Sequence, residues 1–146
     1  LSSSSAASDV YKRQVQALVD FAEVETGGVD VLINNAGLGG SCRLTDLTDE
    51  AWSRVLDVTL TGTMRMSRAM LRYMESRGRG VIVNNASVLG WRAQEEQCHY
   101  AAAKAGVMAL TRCSARRQPS SEFELTQSPQ VLRCMISSAK PHRPNC

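Results

Sequence analysis

No proline precedes Pro119 in this chain of 146 residues, and no glycine follows Gly106. No apolar run approaches the roughly 18 residues that a membrane span needs, and the N-terminus carries no signal-like apolar stretch. Membrane and secreted classes are therefore not indicated. No CxxC pair occurs among Cys42, Cys98, Cys113, Cys134 and Cys146, and an odd cysteine count suits neither a disulfide framework nor a zinc site. Scattered reduced thiols in a cytoplasmic protein are the remaining reading. Charge of one sign is scarce too. The formal net charge is only +3, and all of it falls after Ala115, in Arg116, Arg117, Arg133, Lys140 and Arg143 against Glu122 and Glu124. That tail has neither a dense basic block nor interleaved aromatics, so nucleic acid is not an expected partner.

What is present is enough for one domain: 43% of the residues are hydrophobic and 21% charged. The Ser-rich head, residues 1–14, shows no periodicity and is expected to be disordered. Its end, Asp9-Val10-Tyr11-Lys12-Arg13-Gln14, is also what a transposon-end sequencing adapter would encode, so the head reads as a library scar outside the fold. Val15, Leu18, Val19 and Ala22 then recur at helical steps until Gly27-Gly28. Val29 to Asn34 is a compact β-branched run suited to a buried parallel strand.

Thr48 is an N-cap candidate, with Asp49 and Glu50 in the first turn that follows. A helical pattern runs from there to Arg77 and stops at Gly78, with Trp52, Val55, Leu56, Met66, Met70 and Met74 as its apolar face. A second strand is expected from Gly80 to Ala86, and a last helix from Cys98 to about Ala115. Helix, strand, helix, strand, helix argues for an α/β fold with a parallel sheet covered on both faces. Periodicity ends at Ala115, and residues 116–146, which hold all four prolines, are expected to be unstructured.

Tyr100 and Lys104 lie four residues apart on the last helix and so share a face. A lysine ammonium beside a phenol stabilises the phenolate and suits the pair to proton transfer. Spacing alone favours an ordinary exposed pair, since YxxxK occurs often by chance. Ser87 ends the second predicted strand, where ligands of open α/β sheets bind, and its hydroxyl can donate to an oxygen that gains charge. Asn34-Asn35-Ala36-Gly37 holds the same place on the first strand, where small residues admit a flat ligand. His99 would point to another face of the helix and reads as a packing or solvent-facing residue rather than a catalytic one, and the Met66, Met70, Met74 stripe as helix-packing surface.

NNAG after a strand, then a serine, then YxxxK thirteen positions later resembles the classical short-chain dehydrogenase/reductase family. VDVLINNAG, WSRVLDVTLTG, GVIVNNASVLG and HYAAAKAGVMALTR extend the resemblance over about residues 15–115. The YAAAKAG wording resembles the 3-oxoacyl thioester reductases within the family, and closer still bacterial reductases acting on acyl-CoA substrates. The resemblance implies an incomplete doubly wound Rossmann-type sheet that binds NAD or NADP. It implies Tyr100 as the general acid or base, and Lys104 as the group that eases its ionisation and holds the nicotinamide ribose. Ser87 would polarise the substrate carbonyl, and Asn35, Ala36 and Gly37 would line the adenosine side of the cofactor cleft. The substrate is a small carbonyl compound or alcohol, an acyl-thioester ketone first and a bulky cyclic or steroid-derived ketone second. A homodimeric or homotetrameric parent is implied as well.

The chain departs from the family in two places. Thr59 stands where members carry a catalytic Asn that supports a proton-relaying water. The opening strand and its TGxxxGxG pyrophosphate turn are absent, and the text after Arg116 reads like a frame change. Residues 15–115 are thus expected to be the central part of a longer enzyme. The rival expectation is an inert truncated fragment, or a chain that acts only by presenting helices to a partner.

Overall fold

The computed structural model describes residues 3–115 and 131–136. Helix α1 spans Ser3–Thr26, strand β1 Val31–Asn34, helix α2 Asp49–Leu56 and helix α3 Gly62–Arg77. Strand β2 spans Gly80–Asn85, helix α4 Cys98–Ala115 and strand β3 Val131–Ile136. Helices α2 and α3 are one helical run interrupted by a π-turn, Asp57–Thr61. Their outer ends follow from local chemistry. The Thr48 hydroxyl accepts from Ala51 N at 3.2 Å, and Gly78 closes the other end in the left-handed region at φ 69°, where a glycine carries no Cβ penalty.

The sheet order is β1-β2-β3. Val31 to Asn34 pair in parallel with Val81 to Asn84, so both strands end on the same side, and that side carries the site. Strand β3 runs antiparallel to β2, from Gly80 opposite Ile136 to Asn85 opposite Val131. It satisfies an edge that would otherwise leave backbone groups unpaired. Strand β1 forms the other edge, with Val31 and Ile33 more than half exposed.

Packing is one-sided. Val19 of α1, Met70 and Met74 of α3 and Ile82 of β2 make the main core, with Leu32, Met66 and Tyr73 packed against it. Met74 is fully buried, and truncating such a methionine to alanine costs about 2–5 kcal/mol. The polar residues beneath the strand ends are paired rather than excluded. Asn34 Nδ2 donates to Ser67 Oγ at 3.0 Å and to Asn84 Oδ1 at 2.8 Å. Asn84 Nδ2 in turn donates to Thr111 Oγ1 at 2.8 Å. This chain of amides and hydroxyls joins α3, β1, β2 and α4 into one unit, as buried polar groups require.

Three expectations need correction. The head is helical from Ser3: Ala6, Ala7 and the proline-free, glycine-free run to Thr26 let the helix propagate backwards from the turns that Val19 anchors. The tail contains a strand, Val131–Ile136, whose apolar and β-branched text VLRCMI fits the free edge of β2. The rest of the expected disordered tail, residues 116–130 and 137–146, lies outside the described residues. Trp52 is not a core anchor but 36% exposed. Among the described residues no helix is long and apolar enough to cross a membrane, and no cluster of His, Cys, Asp and Glu can hold a metal ion.

Candidate active site

Four pieces of chain converge at the carboxyl ends of β1 and β2. They are the loop after β1, the π-turn, the segment after β2 and the first turns of α4. Lys104 is the centre. Its side chain is 3% exposed, and Nζ donates to the Asn85 carbonyl at 2.6 Å. Nζ also lies 5.7 Å from the centroid of the Tyr100 ring. Burial holds the Lys104 ammonium below its ordinary pKa, because a desolvated cation loses charge more readily. Tyr100 is half-buried. The helix thus brings the two together as an i, i+4 pair, with the lysine inside and the tyrosine at the surface.

Ser87 caps the short 3-10 turn Val88–Gly90, its Oγ accepting from Leu89 N at 3.2 Å. The hydroxyl proton is left to be donated outward. The turn presses on α4 because residue 90 is glycine. A Cβ there would stand 3.3 Å from the Lys104 carbonyl carbon and 3.2 Å from Ala105 N. Gly37 is less tightly placed: a Cβ at this position would make ordinary contacts, 3.5 Å from Lys104 Nζ and 3.8 Å from Thr59 Cγ2. Asn35, Ala36 and Gly37 are all exposed along this rim.

Thr59 is fully buried, and its hydroxyl is already occupied. Oγ1 accepts from Leu38 N at 2.9 Å and donates to Leu38 O at 3.2 Å. Its own carbonyl accepts from Thr63 Oγ1 at 2.8 Å. With its only proton committed, this hydroxyl serves as a staple between the π-turn and the β1 loop. π-turns inside α-helices cluster at functional sites, and this one delivers Thr59 to the loop.

The structure therefore brings Tyr100, Lys104, Gly37 and Thr59 together and sets the Ser87 turn against the same part of α4. It also gives work to residues the sequence reading passed over. Asn85 supplies the carbonyl for Lys104, and its Nδ2 donates to Asn35 Oδ1 at 2.7 Å. The signal was present in the sequence: an Asn doublet ends both strands. His99 is buried, yet its Nδ1 has no hydrogen-bond partner among the described residues.

A family profile described as short chain dehydrogenase matches residues 4–123. The chain belongs to the short-chain dehydrogenase family. Over 103 residues it is 64% identical to a "(5R,7aS)-5-hydroxy-7a-methyl-1-oxo-2,3,5,6,7,7a-hexahydro-1H-indene-carboxyl-CoA reductase" of Mycobacterium tuberculosis, covering 70% of this chain and 39% of that one. A 3-oxoacyl-acyl-carrier-protein reductase FabG of Vibrio cholerae is 40% identical over 102 residues, 70% of this chain and 42% of its own length. Among solved structures, a short chain dehydrogenase from Mycobacterium smegmatis superposes with a TM-score of 0.71 at 62% identity. That match covers 73% of this chain and 45% of the other. This short-chain dehydrogenase thus spans about two fifths of the length of the curated relatives it matches.

The family's nicotinamide cofactor fits one end of this site. A buried, proton-donating Lys104 faces the exposed Gly37 rim, where a Cβ would lie 3.5 Å from its Nζ. It does not fit at the other end: among the described residues no glycine-rich turn opens a helix after a strand, so nothing here cradles a pyrophosphate.

Proposed function

We propose that this chain is the central, chemistry-bearing part of an oxidoreductase that reduces a carbonyl, or oxidises a secondary alcohol, with NAD or NADP. The observation that carries the reading is the Tyr100–Lys104 pair. A buried ammonium sits 5.7 Å from the ring of a half-buried phenol, at the carboxyl ends of parallel strands where such folds bind ligands.

Tyr100 transfers the proton to or from the substrate oxygen. Lys104 stabilises the phenolate that forms and holds the nicotinamide ribose, its own position fixed by the Asn85 carbonyl. Ser87 donates its free proton to the same substrate oxygen. Asn35, Ala36 and Gly37 line the cofactor cleft. The cofactor supplies the hydride, and the protein supplies position and charge.

The substrate is a ketone, or its alcohol, carried on an acyl thioester. The 64% identical relative is named for a bicyclic CoA thioester, and that name favours a ring ketone bearing a CoA thioester over a linear 3-oxoacyl chain. The enzyme acts as a homodimer or homotetramer in the cytoplasm.

The test is Tyr100→Phe in the complete parent enzyme. Cofactor binding should persist while turnover falls on the order of 10²–10⁴-fold, the usual worth of a positioned acid. Near-full activity in this variant would overturn the assignment.

A further inference from the structure

The loop after β1 does more than border the site. Its residues meet the approach to α4 in antiparallel order. A Cβ at Gly39 would lie 3.7 Å from Tyr100 Cδ2, and one at Gly40 would lie 3.5 Å from His99 Nε2. Next, Ser41 Oγ accepts from Gln97 Nε2 at 3.0 Å. Then Cys42 N donates to the Glu96 carbonyl at 2.9 Å. The near end of this segment is pinned as well, by the two hydrogen bonds between Leu38 and the buried Thr59.

Glu96, which accepts the Cys42 amide, sits at a turn. It is the one non-glycine residue among those described with positive φ, at 61°. A glutamate holds the left-handed region only where its surroundings insist. Here the surroundings are the local turn closed by Gln97 N on the Gln94 carbonyl at 3.4 Å, and that turn presents the Glu96 carbonyl to the Cys42 amide.

We infer that Leu38–Cys42 is a strap that positions Tyr100, and that the Ser41–Gln97 hydrogen bond is its clasp. The inference rests on the proposed role of Tyr100 and deepens it. The phenol is half-buried and belongs to the first turns of α4, where a helix has the fewest intrahelical bonds to hold it. The lysine one turn later is fixed by β2. The tyrosine is fixed from the other side, by backbone laid along its ring edge. The Gly39–Gly40 segment lies within ordinary van der Waals reach of the Tyr100 ring edge and of His99, and the clasp and the Cys42–Glu96 bond keep it there. Ser41 and Gln97 are positioning residues: they act through the place of the ring, with their own hydrogen bond at the surface.

The experiment is steady-state kinetics on the complete parent enzyme carrying Ser41→Ala, Gln97→Leu, both together, and Ser41→Thr. Each disruptive single variant should lower kcat about three- to tenfold, the worth of one hydrogen bond expressed as rate. The KM for the nicotinamide cofactor and the thermal midpoint should stay put. The double variant should lose no more than either single variant, and Ser41→Thr, which keeps the hydroxyl, should restore turnover. Hydrogen exchange on the 146-residue chain gives a readout independent of activity: Ser41→Ala should speed exchange of the Cys42 amide.

Unchanged kcat in Ser41→Ala and Gln97→Leu, with Tyr100→Phe inactive, would overturn the strap and leave the catalytic assignment standing. Losses that multiply in the double variant, or an unaltered Cys42 amide, would overturn the clasp. Full turnover in Tyr100→Phe would remove the reading beneath both.

Discussion

Replacing Gly90 by alanine tests how tightly the Ser87 turn is pressed against the lysine-bearing helix. The added Cβ would stand 2.6 Å from Met108 Sδ, 3.2 Å from Ala105 N and 3.3 Å from the Lys104 carbonyl carbon. The sulfur can swing aside, because methionine is flexible. The two backbone atoms cannot, since they belong to the hydrogen-bonded body of α4. Overpacking of this kind costs about 1–3 kcal/mol. Gly106 supplies the control. A Cβ there meets Leu60 Cδ2 at 2.7 Å, but that atom is the far end of a flexible side chain. Alanine also gains about 1 kcal/mol over glycine inside a helix, so Gly106→Ala should be close to neutral. Urea unfolding of the 146-residue chain measures both variants. Gly90→Ala should lose about 1–3 kcal/mol, and in the complete parent it should also lower kcat by moving Ser87 away from the Lys104 turn. A Gly90→Ala protein as stable as Gly106→Ala would refute the packing argument.

The buried Lys104 gives a pH-dependent expectation. Its folded pKa lies below the ordinary 10.5, so between those values the unfolded chain binds more protons and this group's contribution to stability rises with pH. Lys104→Met should therefore gain stability relative to the unsubstituted chain at neutral pH, with the gap closing as pH approaches 10.5; a gap that widens in thermal melts would reverse the sign. His99→Leu removes a buried ring nitrogen that has no partner and should stabilise the chain by about 1–3 kcal/mol, measured by the same urea titration; a destabilised variant would show that the nitrogen is satisfied in solution. Calorimetric titration of the 146-residue chain with NADH and NADPH should find binding weaker than micromolar, since Lys104 and the Asn35–Gly37 rim meet only part of the cofactor. Micromolar affinity, worth about 8 kcal/mol, would mean that a phosphate site exists elsewhere in the chain.

Local signals foretold the elements that local chemistry decides. Thr48 capped its helix, Gly78 ended it in the left-handed region, and α4 ran from Cys98 to Ala115. Met70 and Met74 went to the core as their spacing implied. The elements that were missed depend on something outside their own text. The π-turn needs the Leu38 backbone to hold Thr59, twenty-one residues away. Strand β3 needs the free edge of β2, which no window around Val131 could reveal. The first turns of α1 sit in a serine-rich head whose periodicity is absent, and they follow from propagation off the anchored turns. Trp52 has the spacing of a core residue and is left partly exposed.

The paired asparagines show how the site was half legible. Read as sequence, Asn35 belonged to a cofactor-lining motif, and the doublet ending β2 had no assigned task. In the structure the two doublets face each other in register, Asn34 opposite Asn84, and their side chains bond across the strands at 2.8 Å and 2.7 Å. Because Asn85 uses its side chain to hold β1 and its carbonyl to hold Lys104, the strand register and the lysine position are one constraint. A slip of one residue would turn both amides to the opposite face of the sheet and carry the lysine's anchor away from the glycine rim. The motif that borders the cleft thus also fixes the group that works within it. An Asn35→Ala change should accordingly be felt at Lys104 through Asn85.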